Sequence, residues 1–165
     1  MRIKVSFLLI KKIEIKKISD FTLTLITIDS EHLGIPDTNY GSIITLHSGE
    51  FNRISKELFQ LSETVTIETN KNSIKFSVSG DSIGGSIKID SNDSTQKEET
   101  TIIQVEEPIN LAFALRYLNM FTKASSLSDQ VTLYLSSEYP LMVEYKLQYL
   151  GSLRYYLAPR ISDDK

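Results

Sequence analysis

The chain has no cysteine and no tryptophan, only two histidines, and just four prolines and seven glycines in 165 residues. Without cysteine there is no disulfide framework and no thiolate metal site, which suits a reducing compartment. His32 and His47 are too few to make a zinc site, and neither belongs to an HExxH pattern. No glycine pair, Gly80 and Gly85 included, fits a phosphate-binding loop, and no Ser/His/Asp set stands out, so the missing motifs weigh against an enzyme. Long apolar runs are also missing. Val5–Ile10 (VSFLLI) is too short to span a bilayer. It follows a basic start as a signal peptide would, but Lys11 and Lys12 interrupt it and no small-residue cleavage site follows.

Charge is unevenly distributed. In the first 17 residues six cations, Arg2, Lys4, Lys11, Lys12, Lys16 and Lys17, face one acid, Glu14, so a chain of net charge −3 is strongly acidic beyond them. An acidic body does not attract nucleic acid in bulk, although a local basic face remains open to it. The length fits one domain, or one domain with an appended piece.

What is there is mostly period two. Thr64–Asn70, Ser73–Ser79, Gly85–Asp90, Thr101–Val105, Gln130–Ser136, Leu141–Leu147 and Leu153–Leu157 read as strands, each sheet with one packed and one solvated face. Turn residues separate them at Asn70–Asn72, Gly80–Gly85, Glu138–Pro140 and Gly151. Two segments break the alternation. Ser48–Leu61 places Phe51, Ile54, Leu58 and Leu61 on one helical face, with Ser48 as its expected cap and Glu50 in the first turn. Leu115–Ala124 places Leu115, Leu118 and Phe121 likewise. The order is an approximate repeat of a helix followed by an antiparallel meander, joined by the polar loop Ser91–Thr100. The expected class is α+β, two helices on antiparallel sheets.

The polar faces of the helices carry Asn52, Arg53 and Lys56, and Arg116, Asn119 and Lys123. Either they are ordinary solvated faces, or they offer spaced cations to phosphates in a sequence-independent, salt-sensitive way. Glu57 is the main acid among them, and there is no aromatic stacking platform of the single-strand-binding kind. Leu33–Pro36 is an apolar cluster in a turn-rich stretch ending at Tyr40; it is either a linker tucked on the core or half of a docking groove. Asp90–Thr100 and the pair Asp163–Asp164 lack EF-hand spacing and read as solvated acidic segments rather than a metal site.

HLGIPDTNY (32–40), SGEFNRI (48–54), EPINLAFALRYLNMFTKA (107–124), PLMVEYK (140–146) and YYLAPRI (155–161) resemble the C-terminal half of proliferating cell nuclear antigen, the eukaryotic DNA sliding clamp, and the similarity runs from about Lys17 to Ile161. The resemblance implies a non-enzymatic protein of the DNA-clamp fold, nuclear, without cofactors and without a membrane association. Its family closes into a homotrimeric ring around double-stranded DNA and tethers DNA polymerase and other proteins that carry a clamp-binding motif. It implies channel-facing cations at Lys17, Arg53, Lys56 and Lys123. It implies a partner-peptide pocket of Leu33, Ile35, Pro36, Tyr40, Pro140, Tyr156, Ala158 and Pro159. It puts the subunit interface on Phe21 in one strand and on Gly85 and Ile87 in another, and a ubiquitin-type modification at Lys71.

On the same resemblance, residues 1–28 are a divergent segment plus the last strand of a first domain, 29–46 the connecting loop and a leading strand, 47–161 the C-terminal clamp domain and 162–165 an acidic tail. The expectation is that the rest of the first domain is missing. A clamp subunit serving polymerase processivity is therefore one reading; the alternative is a truncated fragment that binds partner peptides but cannot encircle DNA.

Overall fold

A computed structural model describes residues 39–80, 83–92 and 100–160. Lys17, Phe21, Leu33, Ile35 and Pro36, the segment 1–28 and the acidic tail lie outside the described residues. Within them the chain runs β1 (Ser42–His47), α1 (Ser48–Phe59), β2 (Thr64–Asn70), β3 (Ser73–Ser79), β4 (Gly84–Asp90), β5 (Ile102–Val105), β6 (Asn110–Ala114), α2 (Leu115–Phe121), a 3₁₀ helix (Thr122–Ser126), β7 (Gln130–Leu135), β8 (Leu141–Leu147) and β9 (Gly151–Leu157).

The strands form two antiparallel sheets, β5-β1-β7-β8-β9 and β4-β3-β2-β6. Each helix carries the chain from one sheet to the other. α1 leaves β1 and delivers β2; α2 leaves β6 and delivers β7. Each meander is then extended by the strand that precedes the opposite helix: β6 pairs with β2, and β1 pairs with β7. The helix-plus-meander repeat read from the sequence is thus an exchange of one strand between two halves. β1, grouped above with the connecting loop, lies inside the larger sheet between β5 and β7.

β6 had no counterpart among the expected strands. NLAFA runs into α2 without a turn residue, and only Phe113 of its five residues is fully buried, so no alternation marks it. The expectation of one solvated face per sheet also fails at β8. Leu141, Met142, Val143, Glu144 and Tyr145 are all buried, because long side chains on β7 and β9 flank Met142 and Glu144 on the outer face, with Tyr134 and Tyr156 level with Met142 and Arg154 level with Glu144.

α1 buries Phe51, Ile54 and Leu58 at helical spacing. Leu61, expected in that stripe, is exposed: the helix stops at Phe59, and the amides of Leu61 and Ser62 fold back onto the carbonyl of Leu58. The cap is His47 rather than Ser48. The Nδ1 of His47 accepts the Gly49 N–H at 3.2 Å. Ser48 is buried instead, its hydroxyl donating to the carbonyls of Ser125 and Ser128, which ties the start of α1 to the segment after α2. α2 buries Leu115 and Leu118, while Phe121 is half-buried and stacks on Tyr155 with ring centroids 4.5 Å apart.

Both helices and the inner faces of both sheets share one core, in which Phe51 and Phe76 meet at 6.4 Å. Truncating a side chain as buried as Phe51 or Phe113 to Ala costs about 3–5 kcal/mol. Arg160, in the segment after β9, covers the outer edge of β6: its N–H donates to the Ala112 carbonyl and its Nη1 to Thr64 Oγ1, each at 2.7 Å. The edges of β4, β5 and β9 have no strand beside them among the described residues.

Candidate functional site

Two surfaces carry the residues singled out from the sequence. The first lies at one end of the outer face of the five-stranded sheet. Tyr40 leads into β1 and is nearly buried, its ring 5.5 Å from Tyr134 and 6.3 Å from Tyr139. Gly41 fixes its position. The Gly41 carbonyl accepts the N–H groups of Glu106 and Glu107, and a Cβ here would stand 2.7 Å from the Glu107 Cβ, so only glycine fits. Ser42 adds bonds to Thr69 Oγ1 at 2.8 Å and to the Glu107 carbonyl at 2.7 Å.

Across neighbouring strands, Tyr134, Met142 and Tyr156 sit level on the same face. Pro140, which is exposed, leads into β8 as Ala158 and Pro159 lead out of β9, and the β8–β9 register brings these two ends together. The fold therefore gathers Tyr40, Pro140, Tyr156, Ala158 and Pro159, separated by up to 119 positions, at one end of the sheet.

Beneath this end runs a polar chain that the sequence reading missed. Glu144 is 3% exposed; its Oε1 accepts from Arg154 Nε at 2.7 Å and its Oε2 from the Tyr134 hydroxyl at 3.0 Å. Burial pushes the Glu144 carboxyl up, but the hydrogen bonds from Arg154 and Tyr134 and the Arg154 charge outweigh it and hold it below the usual carboxylate range. Burial, and then the bond to Glu144, push the Tyr134 phenol up to about 12. The signal was present in LMVEY: an acid in the outward phase of a strand whose other residues are apolar.

The second surface is helical. Arg53 is half-exposed and forked between two acids of its own helix, Nη2 to Glu50 Oε1 at 2.6 Å and Nη1 to Glu57 Oε1 at 3.0 Å. Both hydrogen bonds raise its already high pKa. Asn52 turns away from solvent and donates to Ser125 Oγ at 3.2 Å. Lys56, Arg116 and Lys123 are exposed and make no ion pair among the described residues; Arg116 lies 5.4 Å over the Tyr117 ring. The structure thus sets a charge-balanced α1 beside a segment, Leu115–Ser126, that carries Arg116 and Lys123 and no acid.

Gly85 and Ile87 lie on β4, with Ile87 packed on the core and no strand beside the outer edge among the described residues. Lys71 is exposed in the turn between β2 and β3. Among the described residues no three His, Asp or Glu side chains gather as around a metal ion, and no helix is long and apolar enough to cross a membrane.

Two helices on two antiparallel sheets are what the resemblance led us to expect. Residues 34–160 match the family model described as proliferating cell nuclear antigen, C-terminal domain. The chain belongs to the proliferating cell nuclear antigen family, a protein of the sliding-clamp type with two helices on two antiparallel sheets.

Proposed function

We propose that this chain works as a subunit of a DNA sliding clamp, a non-enzymatic scaffold in the nucleus that holds DNA polymerase and other replication and repair proteins on double-stranded DNA. The observation that carries the reading is the convergence of Tyr40, Pro140, Tyr156, Ala158 and Pro159 on one end of a sheet around the Tyr40–Tyr134 ring contact. Such a surface, apolar at the centre and polar at the rim, takes an aromatic or aliphatic side chain of a partner. Leu33, Ile35 and Pro36 complete the pocket in this reading. Lys17, Arg53, Lys56 and Lys123 face DNA, Phe21 of one copy meets Gly85 and Ile87 of the next in a trimer, and Lys71 takes a ubiquitin-type modifier.

The test is titration of a labelled peptide bearing two aromatic anchors against the wild-type chain and Tyr156→Ala. Removing an anchor of this kind weakens binding by about 2 kcal/mol or more; equal affinities would remove the pocket.

The forking of Arg53 between Glu50 and Glu57 favours a second reading, in which the chain docks partner peptides without encircling DNA. Ring closure on circular DNA separates the two. A clamp that encircles DNA stays on a closed circle in high salt and leaves when the circle is cut; a peptide-binding fragment does neither.

A further inference from the structure

The docking end is electrically polarised along the sheet. At the Tyr40 end stand Glu106 and Glu107, whose amides hold Gly41, and the exposed Glu138 in the turn before Pro140. Two residues from Tyr156 on the same face of β9 stands Arg154, and two residues beyond its partner Glu144 stands the exposed Lys146. The apolar centre therefore lies between an acidic end and a basic one.

Arg154 is built into place rather than loosely attached. Glu144, almost fully buried, takes only its Nε, and Glu144 is itself fixed by Tyr134, whose ring packs on Tyr40. The Nη end of the fork, on a side chain 51% exposed, has only the neutral Tyr156 hydroxyl beside it and takes no second carboxylate among the described residues, which leaves it open to an acid of the partner. A guanidinium already oriented by one carboxylate loses little freedom in binding another. The same chain of contacts joins Arg154 to the aromatic floor, so a partner whose side chain sits on Tyr40 and Tyr156 brings its flank to Arg154.

We propose that Arg154 is a specificity-determining residue of this surface. It recognises a carboxylate flanking the aromatic anchor of the partner segment, while the Glu106–Glu107–Glu138 end recognises a basic flank on the other side. The partner is thus a segment with a basic end, an apolar centre and an acidic end, and its direction on the sheet is set by charge. The proposal rests on the docking reading above.

The experiment uses the full chain and three kinds of labelled peptide with the same aromatic centre: neutral flanks, one basic and one acidic flank in both chain directions, and two basic flanks. The wild type binds one direction of the mixed-charge peptide roughly three- to tenfold more tightly than the neutral peptide, as one partly solvated charge-assisted contact provides, and the all-basic peptide falls below it. Arg154→Gln removes that advantage, so that the variant binds the mixed-charge and neutral peptides alike. Because Arg154→Gln strands a buried acid, the double variant Glu144→Gln/Arg154→Gln is measured beside it and behaves the same way. Equal affinity of the wild type for neutral and mixed-charge peptides overturns the proposal, as does an advantage that survives both variants. If instead no peptide binds the wild type, or Tyr156→Ala binds the neutral peptide as well as the wild type does, the docking reading itself fails.

Discussion

The Nη2 of Arg53 lies 2.6 Å from Glu50 Oε1 on the preceding turn of the same helix. With Glu57 on the following turn the guanidinium has two acids for one positive charge. Its field is spent within α1, and a phosphate approaching this helix meets the acids as well as the cation. The neighbouring segment, with Arg116 and Lys123 and no acid, keeps its charge.

Binding to double-stranded DNA is expected to follow that asymmetry. Arg116→Ala/Lys123→Ala weakens binding and lowers the salt slope by about 2, one for each phosphate that is no longer neutralised. Arg53→Ala alone changes little. Glu50→Gln/Glu57→Gln releases the cation, and both affinity and salt slope rise. Fluorescence anisotropy across a salt series reads all three. A larger loss for Arg53→Ala than for the Arg116/Lys123 pair would show that the fork opens on DNA.

The buried Glu144 makes stability depend on acid. Its folded pKa lies below the ordinary carboxylate value, so its contribution is present above that ordinary value, near 4.3, and is lost as pH falls through the folded pKa. Arg154→Gln leaves the acid buried without its cation and costs about 1–3 kcal/mol at neutral pH. That variant recovers relative to the wild type as pH falls, because without Arg154 burial raises the Glu144 pKa and protonating the acid removes the unpaired charge. Urea melts at pH 7 and in acid check the crossover; a constant gap between the two proteins across that range would mean that Glu144 is not the group responsible.

Tyr149 stands in the turn between β8 and β9 at φ 60°, a conformation that costs a non-glycine residue about 1 kcal/mol, and its side chain is fully exposed. Nothing in the described residues compensates the strain. Tyr149→Gly or Tyr149→Asn is expected to raise stability by about 0.5–1 kcal/mol, read as a shift in urea midpoint with unchanged slope. A loss of stability would show that the ring makes contacts outside the described residues.

How much of this was legible depended on whether a residue's role was local. TVTIETN and SIKFSVS gave β2 and β3 with their bounds because their apolar residues alternate, Val65, Ile67 and then Ile74, Phe76, Val78 being buried, and turn-forming residue types follow each in the sequence. NLAFA gave nothing, because its partner is β2, more than 40 residues earlier, and its bounds are set by pairing rather than by a turn. Phe51, Ile54 and Leu58 announced the helix; Leu61 continued the period but not the helix, since periodicity does not mark where the chain bends back. Ser48 looked like a cap by residue type and is a buried tie to the carbonyls of Ser125 and Ser128, a link across the fold that no local pattern encodes. The docking residues were found by resemblance, and their neighbours Tyr134, Glu144 and Arg154 were not. The register of β7, β8 and β9 is what places those three side by side.

The last prediction concerns the open edge of β4. Gly84–Asp90 is seven residues long, pairs among the described residues with β3 alone, and carries two glycines that let another backbone come close. Lys88 and Asp90, which edges use to repel a second strand, are engaged with each other at 2.7 Å. The proposed partner is a strand of a second copy, so association should rise with concentration. Successive N–H groups of a strand point to opposite sides, so of Gly85→Pro and Ser86→Pro one removes a bond to β3 and the other only the outward donor. The second is recognised by an unchanged melting temperature. That variant is expected to stay monomeric in sedimentation equilibrium at concentrations where the wild type associates. A wild type that remains monomeric throughout, or a stable proline variant that assembles equally well, would take the interface away from β4.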